Sequence, residues 1–113
     1  MAVGLHQLAE TAHAIVSSAA GGTLPVVSAL ANNRSAIYKL ILVTSGAVTV
    51  TIQDTNSVAL SAPYAFGTSG GTLVVDTQIN GDPWWITGIG AGLQLNASAA
   101  VNVAADIYYL QRP

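Results

Sequence analysis

The chain contains no cysteine. A disulfide-stapled scaffold, thiolate catalysis and a cysteine zinc site are therefore excluded, and nothing about the redox compartment can be read from it. Charge is almost as scarce. Of 113 residues only three are Lys or Arg and five are Asp or Glu, for a formal net charge of −2. Nucleic-acid binding is driven by clustered Lys and Arg that release counterions from phosphates. Arg34, Lys39 and Arg112 are too few and too scattered for that, and a polybasic membrane-surface role fails for the same reason. Long apolar runs are missing as well. None approaches the ~18 residues of a membrane-spanning helix, and the best stretch, residues 37–43, is interrupted by Lys39. The N-terminus has neither the positive region nor the continuous apolar core of a secretory signal, so no leader is expected. The triplets Asn33-Arg34-Ser35 and Asn96-Ala97-Ser98 match the glycosylation pattern without such a signal to support modification.

What is present is apolar. Hydrophobic residues make up 51% of the chain, which excludes intrinsic disorder. The length suits one domain with a genuine core. Charged residues are 7% of the sequence, where about 25% is usual. Ten Thr and nine Ser can supply a neutral polar surface instead. The imbalance also predicts that much of the surface is covered by other copies of the chain or by a partner.

Turn signals recur at short intervals: Gly21-Gly22, Asn32-Asn33, Ser45-Gly46, Asp54-Thr55-Asn56, Ser69-Gly70-Gly71 and Asn80-Gly81-Asp82-Pro83. Between them lie runs rich in Val, Ile, Thr and Tyr. Many short strands at such spacing predict an all-β fold, an antiparallel β-sandwich. In residues 47–53, Val48, Val50 and Ile52 alternate with Thr49, Thr51 and Gln53, the period of a half-buried strand. Residues 35–44 are apolar on both faces apart from Lys39, as a central strand would be. Ser45-Gly46 is expected to join these two as a tight hairpin. Residues 58–60, 73–77, a strand marked by Leu93 and Leu95, and 99–111 are further strands. In the last, Val101, Val103, Ala105, Ile107 and Tyr109 form one side, with Asn102, Asp106 and Tyr108 opposite. Leu5, Leu8, Ala9, Ala12, Ile15, Val16 and Ala19 follow helical spacing, but residues 11–18 equally fit a first strand with Ala12, Ala14 and Val16 on one face, and an arm over residues 1–10 followed by a strand is the preferred reading. Residues 1–16 are accordingly an N-terminal arm or first element, and 17–113 a single sandwich domain.

Catalytic chemistry finds little support. His6, Glu10 and His13 would share one face of a helix, as metal ligands do. The same positions are equally the solvated face opposite Leu5, Leu8, Ala12 and Ile15, and an extended segment dissolves the cluster. Residues 88–92, rich in glycine, lead into a strand pattern instead of a helix, so a β-turn is expected and a nucleotide loop is not. Both histidines lie in the first 13 residues, far from any serine in a nucleophile context. Asp54, Asp76 and Asp82 sit in or beside turns. Asp106, inside the final strand, is a solvent-facing strand residue or a partner for Arg34 or Lys39 at a subunit contact. No enzyme activity, cofactor or metal is expected.

Trp84 and Trp85 are adjacent in a strand, so one should enter the core while the other points outward. The outward ring suits a subunit interface, a sugar platform or cover within the domain. Tyr108-Tyr109 has the same geometry.

Three segments, YKLILVTSGAVTVTIQD, GGTLVVDTQINGDPWWITGIGAGLQLNASA and VNVAADIYYLQ, resemble the small trimeric jelly-roll decoration (cement) proteins of tailed-phage capsids. The likeness runs from about Ser35 to the C-terminus. It implies a jelly-roll-like sandwich that forms a homotrimer on the outer capsid surface of a virion. It implies cementing in place of catalysis, with the major capsid protein as partner and neither nucleic acid nor membrane involved. Residues 1–16 would be an arm onto the capsid with Leu5, Leu8 and Ile15 as apolar anchors. Trp84, Trp85, Tyr108 and Asp106 become candidates for the subunit interface or a surface anchor. A carbohydrate- or receptor-binding module at a virion surface is the alternative.

Overall fold

The computed structural model describes residues 12–113. Nine strands follow in chain order: β1 (Ala12–Ser18), β2 (Gly22–Val27), β3 (Arg34–Thr44), β4 (Val48–Asp54), β5 (Tyr64–Phe66), β6 (Gly71–Val75), β7 (Trp85–Ile86), β8 (Leu93–Ala97) and β9 (Val103–Arg112). They form two antiparallel sheets. One runs β1-β9-β3-β6, with the short β7 also pairing β3, and the other runs β2-β8-β4-β5. Leaving β7 aside, the first strand pairs the last, the second pairs the last but one, and so inward to β4 and β5. This nested order is a long antiparallel hairpin wrapped into two layers, the jelly-roll arrangement.

Strand patterning explains the layers. Ile37, Leu40 and Leu42 of β3 and Val103, Ala105 and Ile107 of β9 point inward from one sheet. Val48, Val50 and Ile52 of β4 and Leu93, Leu95 and Ala97 of β8 meet them from the other. Each set recurs every second residue except at Tyr38, where the register with β9 shifts between Ile37 and Lys39. The extra residue is a bulge. It places Tyr38 on the outer side with Ala36 and Leu110, in a small second cluster where its ring is fully buried. The Tyr38 hydroxyl accepts a hydrogen bond from Arg112 Nη2 at 3.2 Å.

Several expectations need correction. Ser45-Gly46 does not close a hairpin, because β3 and β4 belong to different sheets. The inward faces of both strands look at each other across the core, so the chain steps between layers there. Ser45 N–H is held by the carbonyl of Asn102 at 3.0 Å. Gly70, with φ of +71°, lies so close that a Cβ would collide with the Thr44 carbonyl oxygen. Residues 58–60 form no strand, only an isolated bridge between Ala59 and Gln53. The reason is Asp54, whose Oδ1 accepts from the N–H groups of Asn56 and Val58 at 2.8 and 3.1 Å and curls the chain. The helical option for the N-terminal segment does not hold over Ala12–Ser18, which pairs with β9 as an edge strand.

One buried hydroxyl ties the short β7 region into place. Thr87 Oγ1 accepts from Ser35 N–H at 2.9 Å and donates to the Ala91 carbonyl at 3.0 Å. Residues 88–92 are a turn, with Ala91 N–H bonded to the Gly88 carbonyl, leading directly into β8.

Two stability outcomes follow. Leu42, fully buried between the sheets, should cost about 3 kcal/mol when truncated to Ala, measured by urea denaturation. Thr87→Val leaves the Ser35 amide and the Ala91 carbonyl without their partner and should cost about 2 kcal/mol by the same measurement.

Candidate docking face

The two outward faces of the sandwich differ in chemistry. On the four-stranded sheet, Thr23, Asn96 and Thr51 lie in one row, and Pro25, Gln94 and Gln53 in the next. These are neutral polar groups with one proline.

The outward face of the five-stranded sheet is built otherwise. Cross-strand register sets its rows. His13, Tyr108 and Lys39 form one row, Ile15, Asp106, Ile41 and Val74 the next, and Ser17, Ala104, Val43 and Thr72 a third. Ile15 is 74% exposed, Val74 56% and Val43 45%. A large exposed apolar patch on a small domain marks an interaction surface.

Small side chains on β9 give this face its relief. Ala104 sits between Ile15 and Ser17 on β1 and Ile41 and Val43 on β3. The result is a shallow cavity of about 320 Å³ with Asp106 at one end. A second cavity of about 310 Å³ shares Ser17, Val43 and Ala104 and continues toward Thr44 and Asn102. Together they make a trough along β9 between two aliphatic ridges.

The charges on this face are answered locally. His13 Nε2 lies 3.5 Å from Asp106 Oδ1. Lys39 Nζ lies 3.6 Å from Asp76 Oδ1 and 5.8 Å from the centre of the Tyr108 ring. The His13 ring stacks on Tyr108 with centroids 4.3 Å apart and planes within 7°. Asp106 is a solvent-facing strand residue, one of its two expected roles, and its neighbour within the chain is His13 and neither Arg34 nor Lys39. The cause is register: Asp106 pairs with Ile15 on β1 and Ile41 on β3, while Arg34 lies far down β3 opposite Arg112.

The paired aromatics divide between core and surface as expected, although Trp84 lies just ahead of β7 and is not itself a strand residue. Trp85 packs against the core and Trp84 is 44% exposed. The Trp84 indole N–H donates to the carbonyl of Asp76, and its backbone N–H to that of Ile37. Tyr109 joins the core, whereas Tyr108 stays on the outer face. Asp54 and Asp82 serve turns. Asp82 N–H is bound to Asn80 Oδ1 at 3.1 Å, and its Oδ2 accepts from Asn80 Nδ2 at 2.9 Å. Asp76 Oδ1 accepts from Thr77 N–H at 2.8 Å.

Leu5, Leu8, His6 and Glu10 lie outside the described residues. Among the described residues no three metal-ligating side chains gather. Ile15 is a strand residue inside β1. The apolar runs 37–43, which holds Ile41 and Val43, and 101–109 are the sequence's candidates for core and intersubunit contact, and Val74 is not among them. The signal was present in the second apolar face of residues 35–44, but the register that aligns Val74 and Ile15 with it was not. No protein-family model, curated protein or solved structure matches the chain.

The tryptophan division is measurable. Trp85→Phe, which leaves Trp84 as the sole indole, should give fluorescence readily quenched by acrylamide. Trp84→Phe should leave emission that is quenched several-fold less. Equal quenching in the two variants would contradict the alternation.

Proposed function

We propose that the protein is a structural virion protein that decorates and stabilises a phage capsid. In this reading it acts as a homotrimer on the outer capsid surface and bridges neighbouring subunits of the major capsid protein. The observation that carries the proposal is the outward face of the five-stranded sheet, apolar and with its charged groups paired in place. Obligate homo-oligomer contacts are more apolar than ordinary protein surface. A jelly-roll sandwich with such a face on one side and neutral Thr, Asn and Gln on the other is suited to assembly. The sequence resemblance points to the same class.

Cementing needs no reaction. A trimer presents three capsid contacts at once, and linked contacts gain avidity without one strong site. The capsid contact is assigned to the segment ahead of β1, with Leu5 and Leu8 as anchors.

A second reading rests on Trp84. Its ring is half exposed and pinned by the Asp76 carbonyl, as a sugar-stacking platform would be. A change in tryptophan emission on a glycan panel, abolished by Trp84→Phe, would favour it.

Light scattering coupled to size exclusion tests the first reading. The expected mass is three times the 11.5 kDa chain, without dissociation on dilution. The trimer should also pellet with assembled tailed-phage capsid shells. A stable monomer that stays in the supernatant overturns the proposal.

A further inference from the structure

On the assembly reading above, the geometry points to a specific contact: Ile15 of one copy seats in the trough over Ala104 of another copy of this chain. Four observations support a second copy as the occupant.

The first is shape. Ile15 stands 74% exposed on the rim of the trough. Ala104, with the smallest side chain of its row, forms the floor between the β1 and β3 ridges. Ridge and trough thus lie on one face, side by side, and the molecule carries both halves of a knob-and-hole contact. Each copy's Ile15 can serve another copy's trough, in turn around a ring of three or reciprocally in a two-fold pair.

The second is charge. His13 answers Asp106, and Lys39 answers Asp76, on the same face. Around the trough, then, Asp106 and Lys39 each already have a polar neighbour within their own chain, and a second copy need not supply one. Buried contacts tolerate charges only when they are paired.

The third is the polarity of the trough. Around Ala104, and beyond Asp106, its walls are Ile15, Ile41, Val43 and the small Ser17, whereas Ser18, Thr44, Ser45 and Asn102 line only the far end. A flat polar ligand finds few hydrogen-bond partners there, and an aliphatic side chain finds a dry seat.

The fourth is size. The molecule measures 41 × 28 × 21 Å along its principal axes. Two sheets stacked about 10 Å apart account for the shortest axis. The broad face normal to it can hold the roughly 800 Å² per partner that a stable interface uses.

The absence of cysteine makes the test clean. Two single variants, Ile15→Cys and Ala104→Cys, are co-expressed and oxidised, and each is also oxidised alone. Both positions are exposed, so the fold should survive, and circular dichroism verifies it. The expected result is a covalent two-chain species in the co-expressed sample and none in either variant alone. In parallel, Ile15→Asp should weaken association by about 100-fold or more, because it forces an unpaired carboxylate into an apolar seat. Thr51→Asp, on the opposite sheet, should leave the mass unchanged.

A trimeric wild type that gives no mixed disulfide, or an Ile15→Asp variant that stays trimeric, overturns this contact while leaving the trimer standing. A disulfide in Ile15→Cys alone also overturns it, since two Ile15 positions would then meet. A wild-type mass of two chains with the mixed disulfide formed upholds the contact and sinks the trimer instead.

Discussion

The ladder between β3 and β9 is the constraint on which the rest depends. It runs from Arg34 opposite Arg112 to Thr44 opposite Val103, the length of both strands. Its inward pairs, Leu40 with Ile107 and Leu42 with Ala105, make the centre of the core. Its outward pairs, Lys39 with Tyr108, Ile41 with Asp106 and Val43 with Ala104, make the middle of the apolar face. Slipping a strand by one residue exchanges its two faces. A slip here would drive Asp106 and Lys39 into the core, so burial and surface chemistry fix the same register. The bulge at Tyr38 adjusts that register once. It lets the far end of the strand bury a tyrosine on the outer side while Ile37 still faces inward.

The scarcity of charge has two separate origins in the structure. On the four-stranded sheet it reflects substitution, with Thr and Asn doing the solvation that Lys and Glu do elsewhere, while Gln53 and Gln94 are buried. On the five-stranded sheet it reflects exposed Ile15, Val43 and Val74 standing among a few charged groups. Only the second bears on the proposed assembly. Around the trough the charged groups have neighbours in their own chain: His13 lies against both Asp106 and Tyr108, and Lys39 against Asp76 and the same tyrosine ring.

Features set by neighbouring residues were legible in the sequence. Alternation in residues 47–53 located β4, and the same rule divided Trp84 from Trp85 and Tyr108 from Tyr109. The all-β sandwich followed from turn spacing. Features set by pairing were not legible. Two consecutive strands with one apolar face each can lie side by side or face each other across a core, and Ser45-Gly46 reads alike in both cases. The partner of Asp106 needed the β1–β9 register, which joins residues at opposite ends of the chain. The N-terminal segment stayed ambiguous because Ala suits a helix, and only the open edge of β9 decides for a strand. Asp54 overrode the apolar pattern at Val58–Leu60 by capturing two backbone amides, a local effect that propensity alone does not weigh.

Nested pairing also sets the order in which the protein can acquire its structure. Apart from β4 with β5, every ladder joins strands remote in sequence, and β9 supplies the neighbour that both β1 and β3 require. Until β9 has been synthesised, the five-stranded sheet cannot close, and β3 lacks the strand that pairs with it along its whole length. Folds dominated by such distant pairings are slow to form, since loop closure costs entropy before any contact repays it. A partly made chain of this sequence therefore keeps one edge of its most apolar strand open until β9 is in place.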